Sequence, residues 1–131
     1  MIFLVDHNLE GHALLLAGNI ARFGWLDLLP IRFVTFEDVE LSIASNDRSV
    51  WRFAQANQMI LLTANRSMKG EDSLEQVIRE ENTATSLPVI TIGDADRILT
   101  DTGYRDRCAD RLIEIAFDIE DYKGSRRLFI P

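Results

Sequence analysis

The run Met59-Ile60-Leu61-Leu62-Thr63 most constrains how this chain folds, because it is almost continuously apolar and polar residues flank it. Such a run marks a strand buried on both faces: period-two alternation disappears when neither face meets water. Ile2-Phe3-Leu4-Val5 and Val89-Ile90-Thr91-Ile92 have the same character, residues 32–36 are β-rich, and Leu128-Phe129-Ile130 adds a final strand. Helical patterns lie between them. A mainly apolar helix begins at Asn8 or Glu10 and runs to about Phe23, too hydrophobic to be exposed on all sides. A short acidic helical stretch is expected from Glu37 to Ala44. Asn46-Asp47 then offers an N-cap before Val50, Trp51 and Ala54, at helical spacing to about Asn57. Asp72-Ser73-Leu74-Glu75 has capping-box spacing, with Asp72 at the cap and Leu74, Val77 and Ile78 on the buried face of a helix to about Asn82. Gly93-Asp94-Ala95-Asp96 turns into a short helix. Tyr104, Cys108, Leu112, Ile115, Ala116 and Ile119 then step through one long amphipathic helix. Strands separated by helices predict an α/β fold with a mostly parallel sheet covered on both faces.

A chain of 131 residues with 47% hydrophobic residues supports one core, and no linker or repeat divides it, so a single domain over 1–131 is expected. No apolar run approaches the roughly 20 residues that cross a bilayer. Met1 leads into a strand without the basic start and cleavage site of a signal peptide, which predicts a cytoplasmic protein with no membrane partner. Cys108 is the sole cysteine and falls on an apolar helical stripe, where a core role is expected. Trp25, Leu26, Leu28 and Leu29 cluster beside a loop, and core packing and a homodimer surface both account for them. The net charge of −7 argues against holding nucleic acid by broad electrostatic attraction. It is compatible with a nuclease, since clustered carboxylates make a chain acidic and a bound cation restores positive charge at a phosphodiester. Lys123, Arg126 and Arg127 form a basic concentration that reads first as a solvated tail and second as a phosphate contact.

In parallel α/β sheets, ligands gather at the carboxyl ends of strands. Asp6 ends the first strand and Asn65 follows the third, and the two meet if those strands adjoin. Asp47 enters at the start of its helix. Two or three carboxylates held together repel unless a hard cation such as Mg²⁺ or Mn²⁺ takes them as oxygen ligands. The competing account of each aspartate is that it only caps a helix. Other chemistries find no support. His7 and His12 do not share a helical face, and no Cys or second His pair completes a zinc set. Neither a GxSxG elbow, a P-loop nor GxGxxG occurs. Asn8 stands where a haloacid-dehalogenase-like phosphatase has its second Asp, and a receiver domain's acidic pair is absent beside Asp6.

Three stretches together, Phe3-Leu4-Val5-Asp6-His7-Asn8-Leu9, Asp47 opening a helix, and Ile60-Leu61-Leu62-Thr63-Ala64-Asn65-Arg66, resemble the small bacterial PIN-like proteins related to toxin-type ribonucleases. The order and spacing match over residues 1–66. Met68-Lys69-Gly70-Glu71-Asp72-Ser73 and the stretch 82–91 are similar to a bacterial subgroup of unassigned function, which extends the resemblance over nearly the whole chain. The resemblance implies a three-layer α/β/α PIN-like fold, Mg²⁺ or Mn²⁺ at an acidic cluster, and cleavage of single-stranded RNA. It makes Asp6 and Asp47 metal ligands. Asn65 falls where that group usually has an aspartate; its carbonyl oxygen can still ligate, but it brings no charge and weakens the site. Glu71 or Asp72 is then expected to supply the missing carboxylate, or the protein is a weak or inactive nuclease acting as a binding or regulatory module. Asn8 and Arg66 are candidate phosphate contacts. A small antitoxin-like protein is the partner such a toxin-like protein would have.

Overall fold

The computed structural model describes residues 1–66 and 70–131. Five strands form one sheet: β1 (Ile2–Val5), β2 (Arg32–Val34), β3 (Met59–Thr63), β4 (Val89–Ile92) and β5 (Arg127–Ile130). Their order across the sheet is β2-β1-β3-β4-β5, and every neighbouring pair is parallel. In register, Phe3 lies beside Ile60 and Leu4 beside Leu61. The helices are α1 (Glu10–Arg22), α2 (Asp47–Ala56), α3 (Leu74–Glu81), α4 (Ala95–Thr100), α5 (Thr102–Phe117) and α6 (Ile119–Tyr122).

The double burial expected from the apolar runs produces two cores. Successive strand residues point to opposite faces. Phe3, Val5, Ile60, Leu62, Ile90 and Ile92 pack on one face with Leu16 and Ile20 of α1, Ile98 of α4 and Cys108, Leu112 and Ile115 of α5. Leu4, Met59, Leu61 and Val89 pack on the other with Val50, Trp51 and Ala54 of α2 and Leu74, Val77 and Ile78 of α3. The result is a three-layer α/β/α sandwich, as expected. No helix is long and apolar enough to cross a membrane among the described residues.

Local expectations fail in four places, each for a physical reason. Residues 37–44 form turns rather than a helix. The Thr35 hydroxyl accepts from Asp38 N and the Asp38 carboxylate accepts from Thr35 N, closing a tight turn, and Glu40 takes a positive φ of 59° that no helix admits. The cap of α3 is Ser73, whose hydroxyl accepts from Gln76 N, and not Asp72. The long C-terminal helix is broken at Asp118 into α5 and α6. The basic stretch is not a solvated tail throughout: Lys123 pairs with Glu120, and Arg127 starts β5 with its side chain only 8% exposed. Trp25–Asp27 form a 3-10 turn from which Trp25 and Leu29 pack onto the first core, while Leu26 and Leu28 stay exposed.

Candidate functional site

Strand order makes the site before any side chain is placed. From β1 the chain crosses to β2 on one side, then returns to β3 on the other, so the connections leaving the carboxyl ends of β1 and β3 diverge and open a crevice. Alternation then aims the side chains. Leu4 and Leu61 face the α2–α3 layer, so Asp6 and Thr63, two residues further on, face the same side. Asp6 N donates to Leu62 O, which carries the pairing of β1 and β3 one residue beyond Val5.

A pocket of about 160 Å³ lies there, lined by Asp6, His7, Asn8, Phe36, Ser45, Asp47, Val50, Leu61, Thr63, Asn65 and Leu74. Asp6 has two structural partners. Its Oδ2 accepts from the Thr63 hydroxyl at 2.8 Å, and its Oδ1 accepts from Asn8 N at 3.3 Å, capping the 3-10 turn His7–Leu9. The Thr63 hydroxyl accepts in turn from Asn65 N. His7 Nδ1 is buried 3.3 Å from Asp6 Oδ1 without hydrogen-bond geometry, and its ring tilts against Phe36.

Asp47 does not cap its own helix. Asn46 does so, its side-chain oxygen accepting from Ser49 N, and this frees Asp47 to reach inward. Asp47 Oδ2 accepts from Asn65 Nδ2 at 2.9 Å and from Leu74 N, the first residue of α3, at 3.0 Å. The aspartate therefore sits at the N-terminal ends of two helices, whose partial positive charge favours an anion.

Four sequence-derived candidates thus share the pocket: Asp6, Asp47, Asn65 and Asn8. Three others do not line it. Asp72 is exposed and accepts from Arg48 Nε at 2.8 Å, and the Glu71 carbonyl accepts from the same guanidinium. Arg66 turns towards β4 and β5, donating to the Gly93 carbonyl and lying over the Phe129 ring. Met68 and Lys69 lie outside the described residues. Thr63, Ser45 and His7 were missed as pocket residues. Thr63 was accessible to sequence reasoning, since its parity with Leu61 puts it on the pocket side, whereas Ser45 arrives on a loop with no periodic signal.

The donors of Asp6, Asp47 and Asn65 are hard oxygens, the kind that Mg²⁺ and Mn²⁺ take. The formal charge they bring is that of two carboxylates. Among the described residues no three His, Cys, Asp or Glu side chains come together as a metal-binding group. Compared with models of known families, with curated proteins and with solved structures, the chain matches none.

Proposed function

We propose that this protein is a PIN-like ribonuclease that hydrolyses single-stranded RNA with the help of Mg²⁺ or Mn²⁺. One observation carries the reading: carboxylates from the end of β1 and the start of α2 converge with Asn65 on one pocket at the sheet's switch point. Asp6, Asp47 and the side-chain oxygen of Asn65 would hold the cation. Bound there, it would supply positive charge to a phosphodiester and lower the pKa of a coordinated water. Thr63 positions Asp6, and Asn8 N and Leu74 N each fix one carboxylate oxygen, so the carboxylates are held before any ligand arrives. We further propose a cytoplasmic protein whose small antitoxin-like partner covers this pocket, and self-association through the segment Trp25–Leu29, where Leu26 and Leu28 are exposed.

A second reading, a binding or regulatory module without catalysis, is favoured by the state of Asp47. Two protein donors already satisfy its Oδ2, and Asn65 offers it an N–H rather than a lone pair.

Cleavage of a labelled mixed-sequence RNA separates the two readings, measured with Mn²⁺, with EDTA, and with Asp6→Asn. The nuclease reading expects cleavage that EDTA abolishes and that Asp6→Asn lowers by more than the roughly 10- to 100-fold typical of losing an outer-shell partner. Undiminished cleavage by folded Asp6→Asn protein overturns it. No cleavage by folded wild type leaves the second reading standing.

A further inference from the structure

Half of the arginines of this acidic chain are neutralised where they stand, Arg22 among them by Asp106. Arg48 and Arg52 pair with carboxylates of the α3 region, Arg97 with Asp101, Arg111 with Glu114, and Arg127 with Glu75. The β5 edge of the sheet brings two arginines without a carboxylate partner among the described residues into one hollow. A concavity of about 460 Å³ there is lined by Arg66, Glu75, Ser125, Arg126, Arg127 and Phe129. Glu75 is its one carboxylate and is occupied by Arg127, which also donates to the Thr91 hydroxyl and to the Asn65 carbonyl. Among the described residues no carboxylate pairs with Arg66 or Arg126. Two guanidinium charges are left uncompensated in one concave patch.

Phe129 stands in the same patch. Leu128 and Ile130 pack towards the first core, so alternation turns Phe129 to the opposite side, where it remains 52% exposed. The Arg66 and Arg127 guanidinium carbons lie 5.4 and 6.0 Å from its ring centroid. An exposed aromatic ring steadied by cations, beside unpaired arginines, is the combination that holds a single nucleic-acid strand: bases stack on the π face and phosphates meet the guanidiniums. A duplex hides its base faces and is not suited to it. The patch is also joined to the pocket. Asn65 bonds Asp47 through its side chain and Arg127 through its carbonyl, and Arg66 is the next residue.

We propose that this concavity is a nucleotide subsite for single-stranded RNA, with a base against Phe129 and a phosphate on Arg66 and Arg126, adjoining the strand's entry into the Asp6–Asp47 pocket. The inference rests on the reading above for the identity of the strand as RNA. Its test reads binding rather than cleavage. Fluorescence anisotropy of a labelled single-stranded RNA octamer is measured in EDTA for wild type, Phe129→Ala, Phe129→Tyr and Arg126→Asn. Asparagine suits the left-handed backbone at position 126, where φ is 68°. Phe129→Ala is expected to weaken binding about tenfold or more, the loss of one stacked base, and Phe129→Tyr to keep wild-type affinity. Arg126→Asn should reduce the slope of log affinity against log salt by about 0.7, the loss of one phosphate contact. Equal affinity of Phe129→Ala and wild type, equal binding of duplex and single strand, or no binding by wild type overturns the subsite. Phe129-dependent binding without cleavage would defeat the nuclease reading and leave the subsite in place.

Discussion

Asn65 is the residue on which the proposed chemistry turns. Its amide donates to Asp47, so Asn65→Asp replaces a hydrogen bond with two carboxylates in contact. In EDTA this variant should be less stable than wild type by about 1–3 kcal/mol. Mn²⁺ should then raise its melting temperature by more than it raises that of wild type, because a ligand that binds only the folded state stabilises it. Thermal unfolding with and without Mn²⁺ decides; an equal shift in both proteins would deny the cation a place between positions 47 and 65. Cys108 tests burial at the same scale. It is fully enclosed on the core face of α5, and burial pushes its thiol up to about 11. The thiolate is the reactive form, so native protein at about pH 8 should not react with a disulfide reagent until it unfolds. Rapid modification of folded protein would contradict this packing.

At the scale of elements, α2 and α3 are tied by Arg48. Its guanidinium reaches Asp72, Glu80 and Glu81 as well as the Glu71 carbonyl, so the start of α2 is fixed to both ends of the α3 segment. That tie also holds Leu74 N where Asp47 needs it. The hydrogen bonds of Gln76 and Arg48 lower the Glu80 pKa, and those of Arg52 and Arg48 lower that of Glu81. Carboxylates depressed in the folded state contribute stability above their unfolded pKa and lose it as pH falls through the folded value. Arg48→Met should therefore unfold at a lower temperature than wild type at neutral pH. The gap should narrow below about pH 4, where the carboxylates protonate. Melting curves across that range check the sign, and a gap that widens with acid would refute the tie.

For the whole molecule, stability rests on two cores divided by one sheet, and β3 is central to both. Leu62 is fully buried against the α1–α5 layer, so Leu62→Ala should cost about 2–5 kcal/mol in denaturant unfolding, with the spread set by how far neighbours collapse into the cavity. The cost should fall on folding rather than on the pocket, since Leu62 points away from Asp6. The apolar runs at 2–5, 59–63 and 89–92, separated by helical patterns, determined that the sheet would be mostly parallel and covered on both faces, because hydrophobic periodicity is local information. The polar ends Asp6 and Asn65 were visible for the same reason. Local pattern did not determine residues 37–44, where side-chain bonds closed a turn on an acidic stretch that reads as helix. Strand order was decided only in three dimensions. By placing β1 beside β3 it set Thr63 on Asp6, while the packing of α2 against α3 brought Asp47 to Asn65 and Leu74 and carried Asp72 out to Arg48. Pairing and packing join residues far apart in the chain, and no window of sequence contains both partners of such a contact.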